Sequence, residues 1–244
     1  MQNFSFNNPT QIHFGIGQVS TVKTEIPANA RVLFIYGGGS IKQNGVYEQV
    51  VSNLSNHSWR EFSGIEPNPN YDTLIKALDL IDKHNIDYIL AVGGGSVIDG
   101  AKFIAAASLY EDGDPWDILT LNKTVKKALP LGVVLTLPAT GTETNGNSVI
   151  TRDGNKLAFS SREVYPKFSV LDPSFTFTLS NRQVGNGVVD AFIHVIEQYL
   201  TYNTNAKIQD RFSESVLLTL IEEGPKALAD ETKNDIDVRS NIMW

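Results

Sequence analysis

Tyr88-Ile89-Leu90-Ala91-Val92-Gly93-Gly94-Gly95-Ser96 is an apolar, strand-like run that ends in three glycines and a serine. Residues 97–109 follow with helical spacing. A glycine turn between a buried strand and a helix leaves backbone N–H groups directed outward, an arrangement that accepts phosphate. The pattern also occurs upstream, where Val32-Leu33-Phe34-Ile35-Tyr36 leads into Gly37-Gly38-Gly39-Ser40. One such turn is equally well explained by tight backbone geometry, since neither matches G-x-G-x-x-G or the Walker pattern. Two at equivalent strand ends converge on one crevice of a parallel sheet. They point to a ligand with two anionic ends, such as a dinucleotide.

Outward from these runs, the chain alternates strand and helix. Gln11–Phe14, Arg31–Tyr36, Ser58–Phe62, 132–136 and 169–171 read as strands. Val46, Val50, Val51 and Leu54 form a helical stripe over 45–54. Leu74, Leu78 and Ile81 form another, with Asp72 or a neighbour as its cap. Residues 147–151 and 156–160 flank Arg152-Asp153-Gly154-Asn155, a hairpin signal. Past about 178 the pattern becomes long helices, over 182–200 and 206–223. The expected fold is α/β: a Rossmann-like, parallel-sheet nucleotide-binding domain over 1–177, then the beginning of an all-helical domain over 178–244.

The composition is that of a globular chain: 244 residues, 41% hydrophobic and 19% charged, with net charge −7. Basic residues are scattered, with only Lys126-Lys127 adjacent, which argues against a nucleic-acid partner. The absence of cysteine excludes disulfides, thiolate metal sites and thiol nucleophiles. No apolar run is long enough to span a membrane, and Met1-Gln2-Asn3-Phe4-Ser5 lacks the features of a signal peptide. The expectation is a cytoplasmic protein with no membrane partner.

Two groups of residues carry chemical hints. Sites that select NAD often place a carboxylate after an early strand to receive the ribose 2′-hydroxyl. Here Gly39-Ser40-Ile41-Lys42 holds no acid, and a serine hydroxyl with a nearby lysine suits a 2′-phosphate, so NADP(H) is expected. Asp99, one turn into the second helix, either favours the helix N-terminus or orients a loop or ribose hydroxyl. The second group is Asp190 and His194, at i and i+4 in the apolar helix Gly187-Val188-Val189-Asp190-Ala191-Phe192-Ile193-His194. On one face of a buried helix they make either a structural hydrogen bond or half of a Zn²⁺ or Fe²⁺ site, with Glu197 as a second candidate carboxylate. His13 on a strand, His57 on a polar turn and His84 at a solvent-facing helix end offer no third ligand.

Three longer stretches occur together: Gly93-Gly94-Gly95-Ser96-Val97-Ile98-Asp99-Gly100-Ala101-Lys102, Leu135-Thr136-Leu137-Pro138-Ala139-Thr140-Gly141-Thr142-Glu143, and Asp190-Ala191-Phe192-Ile193-His194. With Gly37-Gly38-Gly39-Ser40-Ile41-Lys42 and Gly64-Ile65-Glu66-Pro67-Asn68-Pro69, they resemble the iron-containing (group III) alcohol dehydrogenases. Within that family they are most similar to the NADP-dependent butanol dehydrogenase and broad-range aldehyde reductase branch.

The resemblance runs along the whole chain and implies a dehydroquinate synthase-like architecture. Gly37, Gly38 and Ser40 would meet the adenosine ribose and its 2′-phosphate. Gly94, Gly95, Ser96 and Asp99 would hold the pyrophosphate and its loop. Thr136 and Thr140 would line the cofactor channel, Asn145 and Asn147 the nicotinamide end, and Lys156 would reach the nicotinamide ribose. Leu179 would pack on the cofactor. Asp190 and His194 would be the catalytic metal ligands, two of four, for Zn or Fe. The implied reaction is metal-assisted hydride transfer between NADPH and short-to-medium-chain aldehydes, in a homodimer whose interface includes the N-terminal strand.

The family's other two ligands are later histidines, and this sequence has none after His194. The expectation is the front part of a longer protein, catalytically impaired as it stands. The alternatives are a nucleotide-binding module without chemistry, a glycerol or polyol dehydrogenase-like enzyme, or a dehydroquinate synthase-like lyase. The acid-free first turn and the run Pro138-Ala139-Thr140-Gly141-Thr142-Glu143 argue against the last two.

Overall fold

The computed structural model describes residues 3–202 and 204–244. They form two compact units. The first is Pro9–Thr136 with Thr142–Asp172; the second combines the N-terminal residues up to Asn8, the connector Leu137–Gly141 and Pro173–Trp244.

The first unit is built on a six-stranded parallel sheet. Its strands are β1 (Gln11–Phe14), β2 (Arg31–Tyr36), β3 (Ser58–Phe62), β4 (Tyr88–Gly94), β5 (Leu131–Leu137) and, after a hairpin of β6 (Asn147–Arg152) and β7 (Asn155–Ser160), β8 (Phe168–Leu171). The sheet order is β1-β8-β5-β4-β2-β3. The inner strands β2, β4, β5 and β8 are buried almost throughout, which is why they read as continuous apolar runs. The edge strands β1 and β3 are partly exposed and carry the mixed sequences QIHF and SWREF.

The helices of this unit are α1 (Val22–Glu25), α2 (Val46–Asn53), α3 (Tyr71–Leu74), α4 (Lys76–His84), α5 (Gly95–Ala107) and α6 (Asp117–Thr120). The stripe expected as one helix over Leu74, Leu78 and Ile81 is divided at Ile75, and its cap is Asn70, whose Oδ1 accepts from Asp72 N at 2.9 Å. Helix α5 is largely apolar, apart from Ser96, Asp99 and Lys102, and is buried along nearly its whole length. It packs on β4 and under the hairpin. The hairpin turns at Asp153 and Gly154, both with positive φ (50° and 76°), the two-residue turn expected for that sequence.

The two glycine runs differ from expectation. The second is no loop: β4 continues to Gly94 and α5 begins at Gly95, so strand passes directly into helix. Gly93 makes this possible, because a Cβ there would lie 2.6 Å from Val97 Cγ2. The first run bends into a single 3₁₀ turn, Ser40–Lys42, and the next α-helix starts only at Val46.

The second unit contains α7 (Asn181–Tyr199), α8 (Lys207–Lys226) and α9 (Ile236–Met243). Ser180 and Gln183 form a capping box at the start of α7, and Asp235 caps α9. Val184, Ala227 and Val238 form its core, with Leu179 and Ile242 packed against them. Val189, Ile193, Phe212, Leu218 and Ile221 are exposed. Among the described residues, no helix is long and apolar enough to cross a membrane.

Gly93→Ala is expected to destabilise the chain by about 1–3 kcal/mol, the cost of overpacking against a stiff β-branched neighbour. Thermal unfolding measures it, and an unchanged midpoint contradicts the close-packed junction.

Candidate functional site

The β2–β4 register pairs Tyr36 with Val92, so both glycine runs begin at the same level of the sheet. The first run is also close to the start of α5: a Cβ on Gly37 would lie 3.5 Å from Val97 Cγ2 and 3.2 Å from Ile65 O. Nothing lies within 4 Å of the corresponding position on Gly38, and Ser40 is exposed. At the second run no side chain caps α5, so the residues that open the helix, Gly95 and Ser96, present backbone N–H groups at an uncapped, positive helix end.

A third segment joins them. Ser96 Oγ accepts from Asn68 N at 3.3 Å, and Asn68 Oδ1 accepts from Lys156 Nζ at 2.9 Å. Thr151 N donates to Pro69 O at 2.9 Å. The turn around Asn68, which has φ 56°, thus ties the α5 N-terminus to the hairpin. In the sequence, Glu66-Pro67-Asn68-Pro69-Asn70 reads as a turn, and Gly64–Pro69 adds to the family resemblance, without a structural task for Asn68. The left-handed tendency of asparagine between prolines was the available signal.

Behind this edge lies a buried polar network. Lys102, fully buried in α5, donates to Thr142 O (2.6 Å), Thr142 Oγ1 (2.7 Å), Asn147 O (2.8 Å) and Asn145 Oδ1 (3.1 Å). Thr142 Oγ1 in turn donates to Asp99 Oδ1 at 2.6 Å, and Val149 N donates to Asp99 Oδ2 at 3.1 Å. Burial lowers the Lys102 pKa to about 8, opposed by the charges of Asp99 and Glu143. Burial also raises Asp99 and Glu143, against the Thr142 hydrogen bond at the former and the Glu143 backbone amide at the latter.

Both carboxylate oxygens of Asp99 are thereby engaged with the 142–149 segment. Asn145 Oδ1 also accepts from Asn147 N at 2.8 Å, and Asn147 itself is exposed. Thr136 is buried at the end of β5. Lys102 was singled out by no chemical argument from sequence. Its signal was a basic residue inside the largely apolar run Val97-Ile98-Asp99-Gly100-Ala101-Lys102-Phe103-Ile104, where Asp99 is the other charge.

The first turn is not free of acid in space. Glu61, from β3, lies 3.3 Å from Lys42 Nζ and accepts from the hydroxyls of Tyr36 (3.2 Å) and Tyr47. Burial raises the Glu61 pKa, but the hydrogen bonds from Tyr47 and Lys42 outweigh it, and the net shift is downward. The Glu61 hydrogen bond raises Tyr47 to about 12.

In the helical unit, Asp190 Oδ1 and His194 Nε2 are 3.9 Å apart, and His194 Nδ1 is 4.0 Å from Glu197 Oε2. The first separation exceeds a hydrogen bond. The helix face expected to be buried is exposed, with both side chains 48% accessible, because of α7 only Val184 and Gly187 are buried. A groove of about 620 Å³ is lined by Asp190 with Ala139, Gln183, Asn186, Val189 and Ile193. Thr140 is exposed on the connector, and Leu179 packs in the unit's own core. His57 is buried, with Nε2 3.3 Å from Ile26 O, and His84 is half-buried rather than solvent-facing. Among the described residues, no group of three or more His, Asp or Glu side chains is placed to hold a metal.

A parallel sheet whose paired strands end in adjoining glycine turns, one opening directly onto a helix, defines an α/β unit of the nucleotide-binding type. The chain belongs to the iron-containing alcohol dehydrogenase family, whose model matches residues 9–173. All of it aligns at 55% identity with 64% of the NADPH-dependent aldehyde reductase YqhD of Escherichia coli (strain K12). It aligns at 46% identity with 64% of the probable NADH-dependent butanol dehydrogenase 1 of Bacillus subtilis (strain 168). The crystal structure of E. coli YqhD matches with a TM-score of 0.96 and 54% identity, over 99% of this chain and 63% of that one. That of the NADH-dependent butanol dehydrogenase A of Thermotoga maritima matches with 0.94 and 42%, over 100% and 62%. The chain therefore spans just under two thirds of the length of these relatives.

Lys102→Met leaves four acceptors without their donor and is expected to cost ~3 kcal/mol or more. The pH dependence has a definite sign. The folded state releases the Lys102 proton near pH 8, before the unfolded chain does, so stability rises with pH from there toward the ordinary lysine value of 10.5. Denaturant titrations of both proteins across that range should show wild type gaining on the variant. A constant difference counts against a depressed lysine.

Proposed function

We propose that the chain is the nucleotide-binding part of an NADP(H)-dependent aldehyde reductase, which interconverts short-to-medium-chain aldehydes and alcohols by hydride transfer. The observation that carries this reading is the side-by-side start of the two glycine runs on paired strands, next to the uncapped N-terminus of α5. The relationship to the E. coli NADPH-dependent aldehyde reductase supports the cofactor and the substrate class.

In this reading Gly94, Gly95 and Ser96 offer backbone N–H groups to the pyrophosphate at the positive end of α5. Gly37, Gly38 and Ser40 take the adenosine ribose and its phosphate, because Gly38 leaves open space and Ser40 an exposed hydroxyl. Lys156 reaches the nicotinamide ribose from β7, its ammonium steadied by Asn68. Asp99, Asn145 and Lys102 hold the 142–149 segment, and Asn147 stands exposed on it.

Asp190 and His194 fit as one half of a divalent metal site: an oxygen and a nitrogen donor on one helix face, 3.9 Å apart and accessible. Zinc or iron bound there supplies Lewis-acid polarisation of a carbonyl. A four-coordinate site needs two donors beyond this pair. That shortfall among the described residues favours a second reading for these 244 residues by themselves, nucleotide binding with little or no turnover.

Fluorescence titration with NADPH, an NADPH-linked butanal assay and metal analysis of the 244-residue chain test both readings. The expected result is saturable NADPH binding that Lys156→Ala weakens about tenfold, the size of one charge-assisted contact. Weak zinc uptake, lost in Asp190→Asn, should accompany turnover well below the binding capacity. Absence of any nucleotide binding overturns the reading.

A further inference from the structure

Lys42 ends the 3₁₀ turn that Gly39 and Ser40 begin, with Lys42 N donating to Gly39 O at 3.0 Å. Its ammonium is not waiting for a ligand. It pairs with Glu61 Oε2 at 3.3 Å and lies over the rings of Tyr47 (4.6 Å) and Tyr36 (5.2 Å). The side chains of both partners remain partly accessible, 43% for Lys42 and 31% for Glu61. Glu61 keeps two further donors, the hydroxyls of Tyr36 and Tyr47. The carboxylate therefore stays hydrogen-bonded whether or not Lys42 is present, and the lysine, on a flexible stem, is the partner free to leave.

On the reading that the first glycine turn takes the adenosine ribose, we infer that Glu61 is a specificity-determining residue, which sets the preference between 2′-phosphate and 2′-hydroxyl nucleotides by competing for Lys42. A 2′-phosphate brings nearly two negative charges and draws Lys42 off the carboxylate. A ribose with a free hydroxyl leaves the Lys42–Glu61 pair closed and the corner neutral. Glu61 is thus a brake on NADP(H) selectivity that Lys42 alone does not reveal. Removing the carboxylate's charge releases Lys42 for the phosphate. Removing Lys42 leaves an uncompensated carboxylate that repels it.

The test is the ratio of NADPH to NADH affinity, by fluorescence titration of the 244-residue chain. Glu61→Gln, which keeps acceptor capacity for the tyrosines, is expected to raise the ratio about tenfold. Lys42→Met, at a half-exposed position, is expected to lower it by about the same factor and serves if Glu61→Gln does not fold. Binding of both nucleotides with a ratio unchanged in a folded variant overturns the role of Glu61 and leaves the nucleotide site standing. Binding of neither nucleotide by the wild-type chain removes the site and this inference with it.

Discussion

The Lys102 ammonium is the point on which the α/β unit depends. It is wholly enclosed, in a helix whose other faces are hydrocarbon, and an enclosed charge of this kind costs several kcal/mol unless every donor is used. Four acceptors surround it, all from 142–147. Two of them are backbone carbonyls, so the backbone path of that segment, and not merely its side chains, is set by the lysine. Asp99 acts from the same helix with the opposite polarity, taking a hydroxyl and a backbone N–H of the segment. One helix face thus presents a cation and an anion, and the facing loop supplies complementary groups to both. Such a network is unforgiving, because a partly satisfied version is worse than an apolar one.

That arrangement explains how an irregular segment acquires the order of a strand. Residues 142–146 lie between β5 and the hairpin, with a single 3₁₀ turn over Thr142–Thr144 as their only regular element. Anchored on α5, they start β6, and the hairpin then places Lys156 beside Asn68. The turn at Asn68 is held in return by Ser96. The order of the glycine edge is therefore derived from the buried network through the hairpin, with each link a named hydrogen bond.

What was legible in the sequence follows the range of the forces involved. Strands β2 and β4 are visible because burial on both faces demands an unbroken apolar run, and the hairpin because Asp153 and Gly154 tolerate positive φ. Both are local requirements. The partners of Lys102 lie 40 to 45 residues away, and Glu61 reaches Lys42 from a different strand. No local pattern encodes such pairings, so the acid beside the first turn went unread. The family motif contained Lys102 without revealing its task. Helix α7 was legible by the same local rule, its apolar spacing marking a helix.

The exposure of α7 bears on the meaning of Asp190 and His194. A half-exposed carboxylate and imidazole 3.9 Å apart attract each other weakly and do not share a hydrogen bond. They add little to the helix, so stability gives no reason for placing two polar donors at i and i+4 in an otherwise apolar stretch. They share one face of α7, and Asp190 lines a groove beside Gln183 and Asn186. The contrast with Lys102 is instructive. There the polar groups are consumed by one another and build the scaffold; here each of the two side chains is about half accessible and makes no hydrogen bond to the other.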